Sequence, residues 1–178
     1  MILPVIENDG TSERQATALC GACGLCCTGR LFIWVKLKPS ELDPAERLGM
    51  RVYRSDPTQR GFSLPCPLWK GDCPIHASPH YPRACRAYQC KLLKELLGER
   101  AALAQALGVV ERARGMIAEL EAMLGVPAGA NFREWLVARI EQPEQHPLAE
   151  GARAEFQEKA EALLRFYAEQ FGVTDLLE

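Results

Sequence analysis

The sequence predicts an α+β fold that is mainly α: a small irregular cysteine-rich module with short strands over residues 1–90, then a helical region over residues 91–178 that packs on it. Three observations carry this reading. All eight cysteines lie between Cys20 and Cys90. Nine of the twelve prolines fall at or before Pro82, where a locked φ and a missing N–H donor forbid long helices. From Leu92 onward, Leu96, Leu103, Leu107, Val110, Ile117, Leu120 and Leu124 recur in steps of threes, fours and sevens, the signature of one buried helical face. At 178 residues, the chain can hold a small module beside a larger self-supporting one.

Met1 to Gly10 shows no basic leader ahead of an apolar run of signal-peptide length. No stretch offers about 18 continuous apolar residues, so a cytoplasmic protein without membrane contact is expected. Ser12 to Leu19 reads as a lead-in turn or short helix delivering Cys20. Cys20 to Cys27 then places four thiols in eight residues with glycines between them. Packing asks for no such pattern. A tight loop turns close thiolates toward one point, and glycine permits the positive φ angles that let backbone N–H groups approach a negative centre.

Leu31 to Leu37 is apolar, β-branched and aromatic, ends at Lys38-Pro39, and reads as a buried strand under that loop. Ser40 is the expected start of a helix through Leu48, in a capping box without its ideal Glu, ending near Gly49. Arg51 to Tyr53 and Gly61 to Leu64 are candidate strands, and Ser55-Asp56-Pro57-Thr58 between them is turn chemistry. Five prolines (Pro65, Pro67, Pro74, Pro79, Pro82) then hold an irregular path around Cys66, Cys73, Cys85 and Cys90. In the helical region Gly108 and Gly115 weaken the apolar seam by roughly 1 kcal/mol each if they are helix interior, which leaves room for a break or kink near either. Asn131 with Glu134 caps a short helix carrying Phe132, Trp135, Leu136 and Ile140. His146-Pro147 opens the last helix, with Phe156, Ala160, Leu163, Leu164, Tyr167 and Phe171 on one side.

In a reducing compartment, eight cysteines point to metal ligands rather than disulfides. The expected ligands are Cys20, Cys23, Cys26, Cys27, Cys66, Cys73, Cys85 and Cys90, which makes residues 1–90 a metal-binding module. C-x2-C-x2-C is the spacing by which one loop reaches three corners of a cubane 4Fe-4S cluster while a distant cysteine, often followed by proline, takes the fourth. Cys66 and Cys73 are both followed by proline. Structural zinc usually shows two separate C-x2-C knuckles, and no second knuckle is present. The spacing favours an iron-sulfur cluster and leaves zinc ions open. Eight ligands make two sites of four, divisible in about 35 ways by the counting used for disulfides. Adjacent Cys26 and Cys27 point different ways, so they serve two centres or one of them bridges. His76, His80 and His146 read as loop histidines, and Tyr81 and Tyr88 as packing residues.

Cys20-x2-Cys23-x2-Cys26-Cys27, Pro65-Cys66-Pro67, Gly71-Asp72-Cys73-Pro74-Ile75-His76 and Pro82-Arg83-Ala84-Cys85-Arg86-Ala87-Tyr88-Gln89-Cys90 together resemble the CxxCxxCC cysteine-cluster family, described as a zinc- or iron-chelating domain. The resemblance spans residues 20 to 90 and includes all eight cysteines; the helical tail lies outside it. It implies a metal-chelating module and names a cofactor class more than an activity. Where the family commonly has Arg-Pro, this chain has Tyr81-Pro82, leaving Arg83 or Arg86 to neutralise a cluster.

The formal charge is -2, positive by three through Cys90 and negative by five after it. That is too mild for nucleic acid, which demands a dense basic stripe. A glycine-rich nucleotide cradle and a separate acid-base pair are both absent from the sequence. An oxidoreductase component therefore fits better than a self-contained enzyme. Two functions remain: a redox or electron-transfer protein carrying iron-sulfur clusters, or a noncatalytic zinc-stapled platform with two four-cysteine sites. In either case the partner expected is a protein.

Overall fold

The computed structural model describes residues 11–56, 58–76, 78–145, 147–148 and 151–175. The fold is α+β and mainly α, with a three-stranded antiparallel sheet and a helical C-terminal region. The first helix, α1 (Thr11–Cys23), runs past Leu19 through Cys20 and Cys23, so half of the clustered cysteines stand on a helix and not in a loop. Only at Gly24, with φ of 60°, does the backbone turn left-handed. Burial of Leu19 in the helical core offsets the poor helix propensity of Gly21.

The apolar run Leu31 to Leu37 forms just the three-residue strand β1 (Trp34–Lys36), with Trp34 and Lys36 exposed. It is not one buried strand because its ends serve different cores. Leu31 packs with the helices, and Leu37 packs under the sheet. Helix α2 (Pro39–Arg47) starts one residue before Ser40, with proline at its first turn where the missing donor costs nothing. Here Glu41 Oε2 accepts from the Lys38 N–H at 2.7 Å, so the glutamate that a box starting at Ser40 lacks is present in the frame set by Lys38. Strands β2 (Val52–Tyr53) and β3 (Gly61–Ser63) follow as expected, and Asp56 Oδ1 accepts from the Thr58 N–H and hydroxyl in the turn between them. Pro57 lies outside the described residues. The order is β1-β3-β2, with Val35 and Val52 both opposite buried Phe62. Gly61 must be glycine, since a Cβ there would run into the Val35 carbonyl. Leu37, Leu42, Ala45, Met50, Phe62 and Leu64 make the sheet core.

Beyond the proline-rich loop come α3 (Arg83–Ala87) and α4 (Lys91–Leu97), the latter closed by Gly98. Glu99, with φ of 56°, completes the turn. Helix α5 (Leu103–Leu124) then runs 22 residues unbroken. The helix does not break at Gly108 or Gly115; the apolar seam from Leu92 is interrupted at residues 98–102. Both glycines are solvent-facing, and the buried stripe Ala106, Val110, Ala113, Ile117, Leu120 and Leu124 outweighs their propensity cost. Helix α6 (Phe132–Glu141) begins at Asn131. Helix α7 (Ala152–Phe166) begins after Gly151, whose φ is 81°, and not at Pro147, which lies outside any helix; His146 lies outside the described residues. A π-helical turn (Tyr167–Phe171) closes the chain's last helix at Gly172. Phe156, Ala160, Leu163, Leu164, Tyr167 and Phe171 are all buried there.

These helices share the larger core, to which Leu19, Leu25 and Leu31 also belong. Helix α5 packs on α7, and α1 packs on both α4 and α5. No helix among the described residues is long and apolar enough to cross a membrane.

Candidate metal centre

Cys20 and Cys23 sit three residues apart on α1 and therefore share a face. The Arg114 guanidinium, on α5, donates to the carbonyls of Ala22 and Cys23, satisfying acceptors that a helix end leaves open. Gly24 turns the chain out of α1, and the Trp69 indole lies directly over it, where any Cβ would collide. Cys26 and Cys27 follow in a tight turn closed by Thr28, whose hydroxyl donates to the Gly24 carbonyl at 2.8 Å.

The second cysteine segment reaches this turn through its backbone: the Cys66 N–H donates to the Cys27 carbonyl at 2.7 Å, and the Trp69 N–H to the Cys66 carbonyl at 3.1 Å. Cys73 begins a turn closed by the His76 N–H. Cys85 is carried by α3, whose first N–H, on Arg83, donates to Glu41 Oε1 at 2.6 Å. One carboxylate thus ties the start of α3 to the start of α2. Cys90 caps α4, its Sγ accepting from the Leu93 N–H at 3.4 Å. All eight cysteines are free thiols, Cys20 exposed and the other seven partly buried.

The electrostatics follow this layout. Burial is the leading cause that lifts Cys23, Cys26, Cys27, Cys66, Cys85 and Cys90, because a thiolate loses its hydration there. Cys23 is pushed up to about 11, and Cys27 and Cys85 to about 12. Neighbouring thiols add to the shift. After burial, Cys26 is held up chiefly by Cys23 and Cys90, with smaller contributions from Cys27 and Cys20. Cys27 is held up chiefly by Cys66, Cys85 and Cys73, and last by Cys20. Adjacent residues therefore face different neighbours.

Two tyrosines line the same ground. Burial raises both; next come Cys26 and Cys90 for Tyr88, and Cys85, Cys73 and Cys27 for Tyr81. Tyr88 packs edge-on against Phe32 at 5.2 Å between centroids, and Tyr81 lies beneath the Arg86 guanidinium at 5.3 Å. His76 is exposed and stacks obliquely on Tyr81, while His80 is exposed. Glu41, Trp69 and Arg114 carry no motif that marks them in the sequence, since each acts across a long separation.

Among the described residues, no group of three or more His, Cys, Asp or Glu side chains is already set as a metal cage. The thiols form neighbourhoods, not closed ligand shells. No family model, curated protein or solved structure matches the chain.

Proposed function

We propose that this chain is a cysteine-rich metal-binding protein of the CxxCxxCC type, loaded with iron-sulfur clusters and serving a redox or electron-transfer role in the cytoplasm with a protein as its electron partner. The observation that supports this most is that all eight cysteines are free thiols, with Cys23, Cys26 and Cys90 packed against the helical core and Cys66 and Cys85 against the sheet core. Buried thiolates repel one another and lose hydration, which is why these groups hold their protons. A soft cation placed among them attracts every thiolate and offsets that repulsion and lost hydration, releasing protons as it binds. The donor set of these eight residues is all sulfur, which suits iron-sulfur clusters and thiophilic ions. Cys20, Cys23, Cys26, Cys27, Cys66, Cys73, Cys85 and Cys90 are the ligands. A bound 4Fe-4S cluster would supply reversible one-electron transfer. The chain's own part is to orient the sulfurs, through the bonds from Arg114 to the end of α1, from the start of α3 to Glu41 and from Cys66 to Cys27, and to limit water with the half-buried Trp69 and Tyr81.

A second reading, structural zinc in two four-cysteine sites supporting a protein-interaction platform, is favoured by the small sheet core, which has too few buried side chains to stand without a staple. Anaerobic purification with iron, acid-labile sulfide and zinc measured per chain separates the two. Iron with matching sulfide and a broad band near about 400 nm is the expected result. Colourless protein holding zinc alone would sink the redox role, since zinc has no redox chemistry, and a metal-free chain would sink metal binding.

A further inference from the structure

We propose that the eight cysteines form two separate four-thiolate centres: Cys20, Cys23, Cys26 and Cys90 on the helical core, and Cys27, Cys66, Cys73 and Cys85 on the sheet core, joined at the Cys26–Cys27 peptide bond. This rests on the metal-binding reading above and selects one division among about 35 that the count of ligands allows. The packing carries it. Cys23, Cys26 and Cys90 lie against the larger core, and Cys66 and Cys85 against the smaller one. Helix α1, which bears Cys20 and Cys23, packs directly on α4, whose capping residue is Cys90. Helix α3, which bears Cys85, packs on β1, and Cys66 is bonded through its backbone to Cys27.

Cys73 belongs with the second group by its turn: the His76 N–H closes on the Cys73 carbonyl, and Ile75 inside that turn packs against the sheet core. Cys20 belongs with the first because it stands one helical turn before Cys23 on α1. Because successive Cα atoms are only about 3.8 Å apart, the two centres are close neighbours while their supports are different cores.

The test uses the loaded full-length protein. Metal is withdrawn stepwise with a chelator, exposed thiols are alkylated, and the modified cysteines are identified by mass spectrometry. Two sets of four should appear, Cys20, Cys23, Cys26 and Cys90 becoming reactive together and Cys27, Cys66, Cys73 and Cys85 together at a different chelator concentration. Cys90→Ser and Cys85→Ser should each lower bound metal to about half, with the alkylation pattern of the untouched group unchanged. Any other grouping, or loss of all metal in both single variants with all eight thiols reacting as one set, overturns the division and leaves metal binding standing. A wild-type protein without metal overturns both.

Discussion

At the scale of single residues, the proton is what the proposed metal has to displace. Cys23, at about 11, and Cys27 and Cys85, at about 12, sit above the ordinary thiol value of 9.0 that they regain on unfolding. Between those limits the folded chain binds more protons than the unfolded one. The metal-free fold therefore keeps the full contribution of these neutral thiols below about pH 9 and loses it as pH rises toward 11 and 12. The thermal midpoint of the metal-free protein is expected to fall steadily across that window. The loaded protein, whose thiols have already given up their protons, should lack that thiol contribution, and parallel melts of both forms check the difference. An equal slope in the two forms would remove the thiols as the cause. The cysteines themselves were legible in the sequence because spacing announces them. Arg114 and Glu41 were not, since nothing local distinguishes a guanidinium that closes α1 or a carboxylate that spans two helix starts.

At the scale of elements, Asn131 joins the two halves of the chain. Its Oδ1 accepts from the Glu134 N–H at 3.0 Å and caps α6. Its Nδ2 donates to the carbonyls of Phe32, Ile33 and Leu64 at 3.1 to 3.2 Å, reaching both β1's approach and β3's exit. The Arg133 N–H and the Tyr167 hydroxyl hold the neighbouring turn by donating to the carbonyls of Gly29 and Arg30, each at 3.0 Å. Asn131→Ala removes the cap, about 1 kcal/mol, and strands buried carbonyls at about 1 kcal/mol or more in total, so a loss of about 2–4 kcal/mol is expected in urea unfolding followed by circular dichroism. Asn131→Ser, which still caps but cannot span to the carbonyls, should recover about 1 kcal/mol of it. Equal losses in both variants would show that the cap contributes nothing. The capping role was readable from Asn131 and Glu134 alone, whereas the three carbonyl contacts depend on where β1 and β3 lie.

At the scale of the whole molecule, two cores of unequal size each carry cysteines, Cys23, Cys26 and Cys90 on the larger and Cys66 and Cys85 on the smaller. The helical core draws on α1, α4, α5, α6 and α7, while the sheet core has six buried side chains among the described residues. Metal removal should therefore release the smaller unit first. Hydrogen exchange after chelation is expected to show lost amide protection over residues 34–63, with α5 and α7 still protected; loss at one common rate would mean that the two cores unfold as a single unit. Local patterns were readable in the sequence alone: the cysteine segments, β2 and β3, the cap at Asn131 and the apolar faces of α5 and α7 each lie within a few turns or strand lengths, where backbone preference and periodicity act. The places where that reading failed, namely α1 continuing through Cys23, Leu31 and Leu37 parting to different cores, the break at Gly98, and α7 starting after Gly151, were decided by burial against distant partners. Residues 26 and 27 show the same reason at its smallest scale: they are neighbours in the chain, yet Cys26 packs against the helical core while the Cys27 carbonyl accepts from the Cys66 N–H of the proline-rich loop, because long-range packing places each of them and sequence spacing does not.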